Sequence, residues 1–427
     1  MRLTIKKGLV GLVVVILSVV LIGSSSPVVS NWLTGIIAKS DIPILRDGGD
    51  IASTVQATVD ASNRFAFDLY RRYSTEGGNI LFSPYSISTA LSMTYEGARG
   101  KTAKEMKAVF HFVEEPSERR PAVARIFNVL NSEDREYTLH TVNALWMQEG
   151  YPILKEYIDT VADYYGGEAN LLNFAGAPEE SRVIINDWVE ERTNDRIKDL
   201  FPPGTIHPLT RLVLTNAIYF RGDWLIPFDE EETRKEEFHV SFTESVEVDM
   251  MCLYGVKFNY TETDEIQVLE LSYKGKDMSM IILLPKEEDL GYIESTLSHD
   301  KLNELIDGLE ETTLLYVFLP RFTFKTKYFM KKDLMEMGMP TAFTPSADFS
   351  GIVEVERLWI DIVIHQAFIE VNEKGTEATA ATGIGMTMGL SPKPIFCADH
   401  PFIFIIQDRV TGAILFMGRV MNPTTSK

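Results

Sequence analysis

Apolar residues recur at helical spacing over residues 55–73, where Phe65, Phe67, Leu69 and Tyr70 stand among polar neighbours until Gly77-Gly78 ends the pattern. A second helix is predicted from Ser83-Pro84, because proline in a first turn gives up an N–H that has no partner there; Ile87, Leu91 and Met93 line its face. Further helical stretches are predicted at 102–110, 121–130, 153–165 and 179–199, the last closed by Phe201-Pro202-Pro203-Gly204. After Leu209 the pattern changes to β-branched and aromatic runs: RLVLTNAIYF, VEVDMMCLYG, VKFNYTE, IQVLELSYKG, MSMIILLPK, TLLYVFLPRFTFKT, and PFIFIIQ paired with AILFMGRV. Helices return at 293–309 and 331–337. No composition break or repeat divides residues 55–423, so the pattern predicts one large α+β domain.

The first residues follow a different rule. Arg2, Lys6 and Lys7 precede an apolar run over 8–23, followed by Ser24, Ser25 and Ser26. Residues 1–26 therefore read as a signal peptide or an uncleaved membrane anchor, and 27–54 as a tether. The basic segment stays on the cytoplasmic side, so the domain is expected to be extracellular, secreted or tethered to the outer face of the cytoplasmic membrane. No cysteine lies just after the run, which excludes a lipid-modified cysteine anchor.

Charge and motifs narrow the function. The 427 residues carry 41 Lys plus Arg against 61 Asp plus Glu, a formal net charge of −20. That balance opposes nucleic acid, heparin-type polyanions and acidic lipid surfaces. Cys252 and Cys397, the only cysteines, are too few for a disulfide framework or a cysteine-built zinc site and read as two separate thiols. There is no G-x-S-x-G elbow and no H-E-x-x-H pair among the seven His, so neither a hydrolase nor a metal or other cofactor is expected. Gly100-Lys101-Thr102 lacks a phosphate loop's first glycine, since Tyr95 stands there, and Asn259-Tyr260-Thr261 is a glycosylation triplet of very low specificity.

Residues 371–391, VNEKGTEATAATGIGMTMGLS, are long, small and free of proline. They alternate with a period of two: Thr376, Ala378, Ala380, Thr382, Ile384, Met386 and Met388 share one face, while Glu377, Thr379, Ala381, Gly383, Gly385, Thr387 and Gly389 share the other. Taken alone the stretch fits a flexible loop; its pattern fits a strand that is not always in its sheet.

Its flanks resemble the serpin family. NILFSPYSISTALSMTYEGARGKTAKEM (79–106), LTNAIYFRGDW (214–224), ADFSGI (347–352), VIHQAFIEVNEKGTEATAAT (363–382) and DHPFIFIIQDRVTGAILFMGRVMNP (399–423) are similar to family blocks in the family's order. The resemblance implies a serpin domain over 55–424, with a main mixed β-sheet, two smaller sheets, about eight or nine helices, and a reactive-centre loop at 373–391. It implies a monomer that is not an enzyme but a suicide substrate. A serine protease forms an acyl bond to the loop, and the loop then enters the main sheet as a new strand. About 15 residues at about 3.3 Å each would drag the protease roughly 50 Å.

By the same resemblance, Glu373, Gly375, Thr376, Glu377, Ala378, Thr379, Ala380, Ala381 and Thr382 form the loop hinge, in the small-residue pattern of inhibitory members. Ser83, Ser86, Asn216 and His365 match the family's control point in the sheet. Trp224 matches a tryptophan near the point of insertion, and Arg321 a basic residue paired with Glu373. Seventeen residues counted from Glu373 place the scissile bond after Gly389, and counting back from Pro401-Phe402 favours Leu390. Cleavage is expected between Met388 and Ser391, with Gly389-Leu390 and Leu390-Ser391 the leading bonds. No Lys or Arg lies between Gly375 and Pro392, so a chymotrypsin-, elastase- or subtilisin-like protease with an apolar or small primary pocket is the expected partner. The alternatives are a non-inhibitory serpin acting as chaperone or ligand carrier and, more remotely, an exported hydrolase.

Overall fold

Ser83 shows how the sequence sets local structure: its Oγ accepts from the Ser86 N–H at 3.2 Å and caps helix α2 (Pro84–Gly97), whose every residue is buried. The computed structural model describes residues 36–38, 51–132, 134–287, 289–354, 357–376 and 393–425. Helix α1 (Ile51–Tyr73) precedes α2 and ends on Arg71 and Arg72, whose cations suit the negative end of a helix. Then come α3 (Gly100–Phe110), α4 (Pro116–Leu130), α5 (Lys155–Tyr164), α6 (Pro178–Arg192), α7 (Gly291–Thr296), α8 (His299–Asp307) and α9 (Lys331–Met337).

Three helix boundaries differ from the pattern. Helix α4 starts at Pro116 and carries Pro121 inside. Arg119 holds this turn in place, because its guanidinium donates to the buried Glu96 carboxylate and to the Val113 and Glu114 carbonyls. Helix α6 stops at Arg192, since Asn194, Asp195 and Asp199 adopt positive φ, which a right-handed helix cannot continue. The run at 293–309 splits into α7 and α8, and Ser298 caps α8 by accepting from the Lys301 N–H at 3.1 Å.

In chain order the strands are β1 (Ile36–Ala38), β2 (Ile80–Phe82), β3 (Tyr137–Gln148), β4 (Glu168–Leu172), β5 (Leu212–Asp223) and β6 (Arg234–Ser241). They continue as β7 (Glu244–Tyr254), β8 (Lys257–Glu262), β9 (Ile266–Ser272), β10 (Met278–Pro285), β11 (Glu310–Thr313) and β12 (Tyr316–Pro320). The last are β13 (Phe322–Phe329), β14 (Ile362–Val371), β15 (Gly375–Thr376), β16 (Ile395–Cys397), β17 (Phe402–Asp408) and β18 (Ile414–Val420). The single run at 313–326 divides after Pro320, so that β12 and β13 serve different sheets.

The main sheet runs β1-β4-β3-β5-β14-β13, with β15 on β5. It is mixed: β3 with β4 and β5 with β14 are parallel, and the other pairs are antiparallel. A second, antiparallel sheet of shorter strands runs β11-β8-β9-β10-β17-β18-β2, and a third runs β16-β12-β7-β6. Helix α2 contributes Ile87, Leu91 and Met93 to a core shared with Leu145 and Leu214 of the main sheet and Ile281, Ile403 and Ile405 of the second. With nine α-helices among the described residues, the domain is α+β, as the pattern predicts.

Two positions from the sequence settle here. Phe318 of β12 pairs with Cys252 on one side and Cys397 on the other, so two strand spacings of about 4.8 Å separate thiols that a disulfide would need much closer. Asn259 lies inside β8, with its amide donating to Glu270 at 2.6 Å. Ile36–Ala38, within the stretch read as a tether, pairs antiparallel with β4 at the edge of the main sheet. The apolar run at 8–23 lies outside the described residues.

Candidate functional site

The segment after β14 turns back on itself at the end of the main sheet. Gly375 pairs with Asp223 and Thr376 with Gly222, antiparallel to β5. On its other edge Gly222 pairs with Tyr137 of β3, so β15 sits on the β14 side of β5. Strands β5 and β14 pair directly only from Val213–Ile362 to Ile218–Ala367. Beyond that they part, and β15 occupies the opening.

Several bonds hold this hinge. The Trp224 N–H donates to the Lys374 carbonyl and the Phe228 N–H to the Glu373 carbonyl, each at 2.8 Å. The Trp224 indole N–H donates to the Asn372 carbonyl at 3.0 Å, and its ring stacks on Tyr273 with centroids 4.5 Å apart. Tyr273 reaches back to the loop: its hydroxyl lies 2.8 Å from Thr376 Oγ1, and both groups are buried. Glu373 is buried and accepts from Arg321 Nε at 2.6 Å and from the Thr233 hydroxyl, and this carboxylate raises the Arg321 pKa further. Gly375 has φ +151°, and a Cβ there would lie 2.1 Å from the Gly222 carbonyl oxygen. Only glycine fits this approach.

Deeper in the sheet, Asn143, Asn216, His365 and Tyr328 are paired across β3, β5, β14 and β13 as one polar row. His365 is fully buried, and burial pushes its pKa down to about 3, so the ring is neutral near pH 7. The Ser83 N–H donates to His365 Nε2 at 3.1 Å, which leaves the proton on Nδ1 to be donated to Asn216 Oδ1. The Asn216 amide donates to Ser86 Oγ at 2.6 Å and to Asn143 Oδ1. These bonds tie the start of α2 to the line where β5 meets β14.

Of the residues singled out from sequence, the structure brings Ser83, Ser86, Asn216 and His365 into this network, and gathers Trp224, Arg321, Glu373, Gly375 and Thr376 at the hinge. Glu377, Ala378, Thr379, Ala380, Ala381, Thr382, Met388, Gly389, Leu390 and Ser391 lie outside the described residues. Sequence reasoning missed Asn143, Thr233 and Tyr273. Tyr273 falls near the end of the predicted IQVLELSYKG run, just after β9, where an aromatic carries no mark of its role.

Fold and site together define a three-sheet α+β protein whose main sheet holds the start of a further strand. A family model described as Serpin (serine protease inhibitor) matches residues 60–423, and the chain belongs to the serpin family. It is 44% identical over 385 residues to an uncharacterized serpin-like protein of Methanosarcina mazei, with 88% of each chain covered. Among solved structures it is similar to Serpin48, a highly specific serpin of the insect Tenebrio molitor, at TM-score 0.78 and 36% identity over 86% of this chain and 98% of that one. Human thyroxine-binding globulin complexed with its hormone is similar at TM-score 0.78 and 30% identity, over 87% and 100% of the two chains. Membership of this family carries protease inhibition as its general function.

Proposed function

We propose that the protein is an irreversible suicide-substrate inhibitor of serine proteases that traps the acyl-enzyme by inserting its loop between β5 and β14. Thyroxine-binding globulin shares the fold, so fold alone does not separate inhibitor from ligand carrier, and the hinge has to carry the choice. The observation that supports inhibition is β15: a first pair of residues, already antiparallel to β5, at the mouth of an opening between two parallel strands.

Continued in that register, Ala378 would face Phe220, Ala380 would face Ile218, and Thr382 would arrive beside Asn216. Counted along β14 from the Asn372–Gly375 bridge, Thr382 also falls opposite His365. The growing strand would thus break the His365–Asn216 bond and offer a hydroxyl in its place. Ile384 would follow beside Leu214 and Val363, which are buried and apolar. The inhibitor supplies no catalytic group; added ladder hydrogen bonds and buried surface drive the step.

The target is a chymotrypsin-, elastase- or subtilisin-like protease, which cuts the loop between Met388 and Ser391, and the domain acts outside the cell. Replacing Thr376 by Arg tests the mechanism, because the charge would have to be buried where Thr376 now meets Tyr273. The variant is expected to be cleaved as a substrate, with at least tenfold less gel-stable complex. Undiminished complex would overturn loop insertion.

A further inference from the structure

Helices α1, α2 and α4 frame a cavity of 40 Å³, with room for about three waters. Val59 of α1 and Val123 and Ile126 of α4 give it apolar walls, and hydroxyls complete the lining. Half of those hydroxyls are used within the fold. Thr58 and Thr89 each donate at 2.8 Å to a carbonyl one turn earlier, and Ser92 donates to the Tyr165 hydroxyl at 3.2 Å. The others, on Ser62, Tyr85 and Ser88, are buried with no hydrogen-bond partner among the described residues. Tyr85 and Ser88 are only 6% and 7% exposed, so bulk water does not serve them either. Arg119 also reaches the wall, but its guanidinium is taken up by the Glu96 carboxylate and the Val113 and Glu114 carbonyls. The lining therefore offers hydroxyls and apolar surface, and suits a neutral guest.

Water alone matches this lining poorly. Buried waters make about three hydrogen bonds each, which three hydroxyls among apolar side chains supply only in part. A molecule of two or three carbons with one hydroxyl matches both halves. Its carbons cover the valine and isoleucine side chains, and its oxygen can accept from one wall hydroxyl and donate to another.

We propose that this cavity is a binding site for a short-chain alcohol. The site is independent of the inhibitor reading, since it needs neither the loop nor a protease. It bears on the fold because Tyr85 and Ser88 lie in the first turns of α2. There the Ser83 N–H donates to His365 and Ser86 Oγ accepts from the Asn216 amide. A guest that joins these turns to α1 and α4 favours the native state by mass action.

The test titrates 1-propanol into the full chain with valine and isoleucine methyl groups labelled, and follows Val59, Val123 and Ile126 by NMR. Shifts that saturate at these methyls are expected. The Tyr85→Phe/Ser88→Ala double variant removes two hydroxyls and no hydrogen bond of the described fold, so it should melt no lower than wild type and bind about tenfold more weakly. Val123→Phe, which fills the cavity, is expected to abolish the saturating shifts at Val59 and Ile126; the double variant carries the test should overpacking unfold it. Shifts that only grow linearly with alcohol in wild type, as a cavity filled by water alone would give, would overturn the site. Equal affinity in wild type and the double variant would overturn it too.

Discussion

His365 lies on the line where β5 meets β14, and it does so without charge. Its pKa near 3 in the fold lies below the ordinary 6.5, so between these values the unfolded chain binds a proton that the folded one does not. Stability therefore falls as pH drops through that window, by about 1.4 kcal/mol per unit from this group. Acid unfolding followed by fluorescence should show a shallower pH dependence in His365→Gln, which keeps hydrogen-bonding capacity but cannot titrate. An unchanged slope would mean that the ring is not held neutral. Ser83, Ser86, Asn216 and His365 were legible because they sit in blocks that resemble a family. Asn143 was not: it lies in β3, whose side facing α2 mixes Leu139 and Leu145 with Thr141 and Asn143, blurring the apolar alternation that marks a strand.

The alternation in residues 376–388 acquires a physical meaning from the register of β15. The face carrying Thr376, Ala378, Ala380 and Thr382 would follow Gly222, Phe220, Ile218 and Asn216 toward the core, ending in apolar residues where the core is apolar. The other face would pass under α6. There Thr215 is buried and accepts from the Trp146 indole at 3.0 Å, and Trp146 meets Trp188 of α6 edge-on at 5.2 Å. Gly383 would arrive beside Thr215 and Ile364, both fully buried, so a large side chain there would have to be packed into the interior. Gly383→Leu should therefore halt insertion midway: cleavage at the same bond, with complex yield reduced several-fold. Equal yield would show that the strand does not follow this register. The strand reading of the loop rests on its alternation alone, and residues 377–391 lie outside those described. The ends of α4 and α6 were not readable, because a buried Glu96–Arg119 contact and three left-handed residues decide them.

At the scale of the molecule, the sequence order of helices then strands gave the class, and β3 and β4 were the main omission, since they fall among the helices of the first half. Under the proposed mechanism the sheets also account for inhibition without a catalytic residue. Strands β5 and β14 are parallel neighbours joined directly over only part of their length, and one antiparallel strand placed between them would replace that single ladder with two. On the proposed mechanism the intact fold is a state held by the His365 network and the hinge contacts, and a more stable arrangement would be available to the same chain. The decisive measurement is the melting temperature of the domain before and after its loop is cut by a protease that it does not trap. The cleaved form is expected to melt well above the intact one, with the cut between Met388 and Ser391 confirmed by mass. A cleaved form that melts at or below the intact temperature would contradict insertion, and with it the inhibitory mechanism.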